Sequence, residues 1–375
     1  MKVLFISSWY PNKLEPTNGN FVQRHAEAVA LQHHVEVLHA IGDPNQKEKF
    51  LFDEKVINGL KTLIVYYRNT KNPLINFSRR MKAYKLGFQN MQKPDIVHAN
   101  VLHNNLFFPV YLKKKHKIPF VITEHWTAYQ ENASDAHGSV WRFFAKYIGN
   151  QSSTMMPVSK NLKRGLEVLG IKVPIHVISN VVNTDIFKIN EQKKKHDVFS
   201  FVHISNLVER KNPDKIIEVA HRLHQQHQNF QLLIGGDGDL RPIQDLIKKL
   251  KAESYIKTFG KLKLDEVAEK MQESHAFILF SENETQGCVI VEANACGIPV
   301  ISSAVGGTPE FVSPQTGILV ERDNLEQLYD AMKAMLLHEK TFANPQDLHI
   351  GIEEKYSPKN IAKQYSNVYE SVLKS

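Results

Sequence analysis

Short apolar runs alternate along this chain with longer segments of helical period, and that alternation restricts the fold more than any other feature. Strand-like runs occupy 3–7, 35–39, 62–67, 96–99, 120–123, 154–158 and 176–178. A second series follows at 199–204, 231–235, 256–260, 276–280, 299–302 and 317–320. Segments with apolar residues at helical spacing lie between them, such as 21–31, 161–169, 214–227 and 241–251. Strands that alternate with helices close into right-handed βαβ units and parallel sheets. Two series predict two sheets, and the polar run NEQKKKHD at 190–197 suits a linker between them. The reading is an α/β chain of two Rossmann-like domains, 1–190 and 191–357, with sheets facing a central cleft. Ligands of such sheets bind outside the carboxyl ends of the strands.

A length of 375 residues agrees with two cores better than one. With 42% hydrophobic and 23% charged residues, the composition is that of a globular protein and not of a disordered one. The opening MKVLFISSWYP has one lysine and a short apolar run, so no signal peptide is expected there. No stretch approaches the roughly 18 apolar residues of a spanning helix. The two cysteines, Cys288 and Cys296, would stand about 12 Å apart on one helix, beyond disulfide reach. A reducing cytoplasm is the expected compartment.

The net charge of +8 and a pI near 9.1 favour an acidic partner: nucleic acid, phosphorylated metabolites or an anionic membrane. Basic residues gather at 76–93 (NFSRRMKAYKLGFQNMQK) and 111–117 (YLKKKHK). The first alternates basic and apolar positions at helical spacing, as an interfacial helix or a solvated helix face would. No aromatic platform interleaves these lysines and no zinc-ligand spacing occurs, so nucleic acid is not the expected partner.

The segment at 281–303, SENETQGCVIVEANACGIPVISS, holds two glutamates eight positions apart (292 − 284 = 8) around an apolar run. A helix opening near Gly287 would aim the amides of Gly287, Cys288 and Val289, and the positive end of its dipole, at an anion. Glu284 stands on the loop before that point and Glu292 roughly 6–8 Å down the axis. Carboxylates on both sides of a phosphate site fit a ligand with hydroxyls at each end. The alternative is two solvated glutamates on a helix edge.

E-x7-E followed by GIPV resembles the retaining glycosyltransferases of family 4, which have the GT-B fold. Nine further segments match that family in order. They are the amino-terminal strand and loop ending at Gly19 and Asn20, DIVHAN, VITEHW, PVSKNLKRGL, ISNVVNTDIF, FVHISNLVERKN, LLIGGDGDL, VGGTPEFV and KNIAKQYSNVYESVL. The resemblance implies that Glu284 contacts hydroxyls of the donor sugar, that Glu292 holds the ribose, and that amides at 287–289 take the diphosphate. It also implies that the last helix, 358–375, crosses back onto the first domain.

Lys211 matches the family lysine that neutralises the leaving diphosphate, the main electrostatic demand of breaking a glycosyl–phosphate bond. The chain departs from the pattern at Asn206, where the family has arginine, and at Gln286, where an aromatic is usual; adjacent Arg210 could supply the guanidinium. His125, in VITEHW, matches the histidine that reaches the donor sugar, and Gly19 the glycine that lets backbone approach a sugar or phosphate. His98 and His103 suit packing or the acceptor side, and Glu310 suits bracing of its loop. Asp237 and Asp239 form a D-x-D pair, but in a glycine-rich turn they read as turn chemistry and not a metal site. Neither G-x-G-x-x-G with its acid nor G-x-x-x-x-G-K-[ST] is present, against NAD and ATP enzymes.

The implied activity is a retaining, metal-independent transfer of a hexosyl group from a UDP- or GDP-linked sugar, with no cofactor. The acceptor would be a glycan or lipid-linked molecule of cell-surface polysaccharide or glycoconjugate synthesis. The leaving diphosphate would help deprotonate the acceptor, leaving the protein to position groups, stabilise charge and exclude water by closure. Basic residues in the first domain suggest a cytoplasmic protein peripheral on the inner membrane face. The rival readings are an epimerase of the same fold, a phosphorylase and a catalytically dead nucleotide-sugar binder.

Overall fold

The structure is a computed structural model and describes residues 1–131, 138–190, 192 and 197–374. Its contacts divide the chain into two units, one of 1–181 with 358–375 and the other of 182–357. The division falls before the polar run at 190–197, of which 191 and 193–196 lie outside the described residues.

The first unit carries β1 (Lys2–Ser7), β2 (His34–Asp43), β3 (Phe50–Ile57), β4 (Leu60–Arg68), β5 (Ile96–Asn100), β6 (Phe120–Glu124) and β7 (Thr154–Pro157). Their spatial order is β3-β4-β2-β1-β5-β6-β7. All neighbours run parallel except β3 and β4, an antiparallel hairpin. Asn58 and Gly59 turn that hairpin with φ of 49° and 82°, the left-handed pair that a two-residue type I′ turn requires. The strand expected at 176–178 does not form. That segment follows β7 through a single bridge from Ile175 to Met155 and one further backbone bond, from the Ile178 N–H to the Pro157 carbonyl, too few for a ladder.

The helices of this unit are α1 (Asn20–Ala30), α2 (Pro73–Phe88), α3 (Phe107–His116), α4 (Ser139–Gln151) and α5 (Lys160–Leu169). On one face of the sheet, Leu4, Ile6, Leu38, Val97 and Phe120 pack with residues of α2, α3 and α5. On the other, Val3, Phe5, Val37 and Val121 meet Val22, Ala26 and Val29 of α1 and Ile361, Tyr365 and Tyr369 of the carboxyl-terminal helix. Strands covered on both faces read as nearly continuous apolar runs, the reason β1, β5 and β6 stand out in the sequence.

The second unit holds β8 (Phe199–Ser205), β9 (Phe230–Gly236), β10 (Ile256–Phe259), β11 (Ala276–Leu279), β12 (Val300–Ser303) and β13 (Gly317–Val320). The order is β10-β9-β8-β11-β12-β13, parallel throughout. Its helices are α6 (Pro213–His224), α7 (Arg241–Lys249), α8 (Leu264–Gln272), α9 (Cys288–Ala295), α10 (Leu325–Leu336) and α11 (Pro345–Tyr356). The remaining helix, α12 (Pro358–Lys374), belongs to the first unit. Each unit is a Rossmann-like α/β layer structure.

Candidate functional site

In the second unit the order reverses at β8 and β11, and the loops leaving those two strands carry most of the expected residues. After β8 the chain runs through exposed Asn206 into a tight turn at Glu209–Lys211. Asn212 then adopts a left-handed conformation, φ 48°, immediately before Pro213 opens α6. Its buried side-chain amide donates to the Phe280 carbonyl at 3.1 Å, fastening the start of α6 to the end of β11. The Glu282 N–H donates to the Arg210 carbonyl at 2.8 Å, a second tie between the same two loops. These ties bring Lys211 and Glu284 together: the ammonium donates to Glu284 Oε1, with both side chains largely covered, at 15% and 12% exposure. Arg210 is exposed, so only the lysine of the adjacent pair reaches the carboxylate.

Beneath this ion pair lies His203, fully buried on β8, with Nδ1 on the Ile278 carbonyl and Nε2 on Ser205 Oγ, both at 2.9 Å. Burial pushes its pKa down to about 4, helped by the Lys211 charge, so the ring is neutral at physiological pH. Sequence reasoning misses both Asn212 and His203; the Asn-Pro dipeptide is the available signal for the first.

Gly287 precedes α9 with φ 73°, and the first intrahelical bond runs from the Ile290 N–H to the Gly287 carbonyl at 2.9 Å. The amides of Cys288 and Val289 thus stand at the open, positive end of the helix. Gln286 is buried before it. Glu284 is held from behind, its carbonyl accepting from the Gly307 N–H at 3.1 Å. Glu292 is 4% exposed within an otherwise apolar helix. Neither glutamate is therefore a solvated helix-edge residue. Neither cysteine forms a disulfide, and burial with the nearby Glu292 charge pushes the Cys296 thiol up.

Asp237 pairs with Lys261 at 3.1 Å and Asp239 with Arg241 at 2.6 Å, so the D-x-D carboxylates are engaged by cations. Among the described residues no group of three or more His, Cys, Asp or Glu could hold a metal ion. The glycines of this turn serve close approach: a Cβ at Gly236 would stand 1.8 Å from the Ser205 carbonyl oxygen, and one at Gly238 2.2 Å from that of Asn206.

In the first unit, Gly19 and Asn20 open α1, and Gly19 has φ 78°. A Cβ there would lie 2.5 Å from the Trp9 carbonyl, so the glycine is required by the backbone leaving β1. His125 follows β6. Glu124 fixes its loop, with Oε1 accepting the His125 and Trp126 N–H groups at 2.8 and 2.7 Å and Oε2 that of Leu102 at 2.6 Å. Burial pushes the Glu124 carboxyl up to about 7 against these three donors. The His125 ring is buried, and neither of its nitrogens closes a hydrogen bond. His98 is fully buried between Tyr369 and Thr123, a packing residue. His103 lies with Asn104, Val140, Trp141 and Phe144 around a cavity of about 350 Å³.

Two parallel-sheet Rossmann-like units of this kind make the GT-B architecture. Residues 19–186 match the model for "Glycosyltransferase Family 4" and 184–347 that for "Glycosyl transferases group 1", together spanning most of the chain. Over 245 residues the chain is 26% identical to the phosphatidylinositol N-acetylglucosaminyltransferase gpi3 subunit of Schizosaccharomyces pombe, covering 64% of this chain and 53% of that protein. It is 27% identical to N-acetyl-alpha-D-glucosaminyl L-malate synthase of Bacillus anthracis, over 73% of this chain and 75% of that one. The matched region is thus about half the length of the first of these relatives. Sucrose-phosphate synthase of Thermosynechococcus elongatus shares the fold with a TM-score of 0.80 at 18% identity, covering 100% and 99% of the two chains. Anabaena HepE, solved with UDP and glucose, has a TM-score of 0.77 at 17% identity, covering 99% and 100%. The chain belongs to the family 4 glycosyltransferases, with a group 1 domain in its second half.

Proposed function

We propose that this chain transfers a sugar, with retention, from a nucleotide-diphospho-sugar to an acceptor with a lipid part. The observation that carries the reading is the covered Lys211–Glu284 pair, at the carboxyl edge of a parallel sheet and on the same loop as the open end of α9. A diphosphate at that helix end would meet backbone amides and the Lys211 ammonium, the charge stabilisation that a departing nucleoside diphosphate needs. Glu284 would accept from sugar hydroxyls and Glu292 from the ribose. HepE, of the same fold, was solved with UDP-glucose, which supports a nucleotide sugar of this kind here. No metal or cofactor enters the proposed chemistry.

For the acceptor, the support is the phosphatidylinositol N-acetylglucosaminyltransferase relative and the apolar walls of the cavity at Val140, Trp141 and Phe144. Exposed Leu74, Val140 and Phe143, with the exposed Lys114 and Lys115 at the basic end of α3, suit a peripheral position on an anionic membrane. No helix among the described residues is long and apolar enough to cross a bilayer. Arg80 does not contribute to such a surface, since it bonds Tyr67 and Asn104 at 2.9 and 2.8 Å.

Incubation with a panel of labelled nucleotide sugars, with EDTA present and product stereochemistry read by NMR, tests the reading. Glu284→Ala should lower transfer at least a hundredfold, whereas Glu292→Ala should chiefly weaken UDP or GDP binding, about tenfold by calorimetry. Wild-type rates in both variants would place the chemistry elsewhere. Nucleotide-sugar binding with neither transfer nor hydrolysis would favour the non-catalytic binder.

A further inference from the structure

Behind His125 a run of buried polar groups crosses the first unit: Tyr369, His98, Thr123, Tyr365, His25 and Asn180. The contacts in sequence are Tyr369 Oη to His98 Nδ1 at 2.6 Å, His98 Nε2 to Thr123 Oγ1 at 2.6 Å, and Thr123 Oγ1 to Tyr365 Oη at 3.3 Å. Tyr365 Oη then meets His25 Nδ1 at 2.6 Å, and His25 Nε2 meets Asn180 Oδ1 at 3.0 Å. The direction of every bond follows from the last. An amide carbonyl only accepts, so His25 carries its proton on Nε2 and Nδ1 accepts from the Tyr365 hydroxyl. Tyr365 must then accept from Thr123, whose oxygen accepts from His98 Nε2–H, leaving His98 Nδ1 to accept from Tyr369. Each group donates once, and both rings are neutral Nε2–H tautomers. The opposite order would leave the Tyr369 hydroxyl with no acceptor among the contacts of the described residues. Protonating either ring would make its tyrosine partner turn from donor to acceptor, and burial already lowers the pKa of both histidines.

The chain of hydrogen bonds ends where His125 begins. The His25 and His125 rings meet edge to face with centroids 5.3 Å apart, and Phe21 covers the other side of His125 at 4.4 Å. The Asn180 side chain lies within reach of the His125 ring and favours its charged form, against the burial that lowers its pKa. We infer that Tyr365 is a positioning residue: through His25 and Asn180 it sets the orientation and tautomer of His125. This rests on the proposed function only in assigning His125 to the donor sugar. The carboxyl-terminal helix then contributes a hydroxyl to the working order of the site, beyond the apolar face it packs on α1.

Tyr365→Phe, which keeps the ring, and Tyr369→Phe, at the far end of the chain of bonds, separate positioning from packing. With 15N-labelled histidine, Tyr365→Phe should shift the His25 and His125 ring nitrogens while Tyr369→Phe shifts only those of His98. In steady-state assays Tyr365→Phe should lower kcat about tenfold with donor KM within about twofold, and Tyr369→Phe should lower it less than threefold. Unchanged His125 resonances in Tyr365→Phe, or equal rate losses that follow Tm in both variants, would overturn the inference. If the wild-type chain transfers no sugar at all, the functional reading falls, and the spectra still decide whether Tyr365 governs His125.

Discussion

At the scale of single residues, two glycines with similar backbone angles have different grounds. Gly19 faces the rigid Trp9–Tyr10 backbone, whereas a Cβ at Gly287 would meet the Ile290 side-chain tip at 2.9 Å and Leu279 at 3.2 Å, which can swing aside. Gly19→Ala should therefore lower stability by about 2 kcal/mol or more, and Gly287→Ala by about 1 kcal/mol, from the left-handed backbone alone. Thermal denaturation of the two variants side by side checks the order. Both glycines are legible as special in the sequence, where Gly19 suggests room left for a ligand. The structure shows that the chain's own backbone occupies that space.

At the scale of elements, the turn at 209–211 and the loop at 281–287 are useless apart, and Asn212 joins them. Asn212→Ala would lose both the left-handed preference and the bond to Phe280, at a cost of about 1–2 kcal/mol. Because Lys211 precedes it, nucleotide diphosphate affinity should fall as well, about three- to tenfold by calorimetry; unchanged affinity would show that Lys211 is held from elsewhere. The expected strands coincide with observed ones wherever both faces are covered. The exception is β3, whose pattern is half-exposed and charged because it lies at the sheet edge. The Asn58-Gly59 pair is the signal that could have revealed it. The segment at 176–178 fails in the other direction: a histidine, a valine and an isoleucine look like a strand, yet they lie beyond β7 and follow that edge without forming a ladder.

At the scale of the molecule, buried imidazoles should dominate the response to acid. His25, His39 and His203 are each pushed down to about 4 by burial, and His98 and His125 lie well below the usual value. A folded pKa below the unfolded one of about 6.5 means that unfolding takes up a proton between the two. Stability is therefore complete above about pH 6.5 and is lost as the pH falls towards 4, by about 3 kcal/mol for each of the first three residues. Glu124, pushed up to about 7, acts oppositely and gains as pH falls through that value, but it is one group against five. Calorimetric scans should show Tm dropping steadily from pH 6.5 to 4; a level Tm would mean that these rings are hydrated or already charged.

What the sequence determined by itself was the sheet-and-helix order, the two-domain plan and the glutamate pair at α9. Those follow from local periodicity, and from a helix start that advertises itself in adjacent residues. Only the tertiary structure decided that Lys211 lies on Glu284, 73 positions along the chain, and that Tyr365 lies on His25, 340 positions away. Such pairings are properties of strand order and helix docking, and no spacing within a segment encodes them.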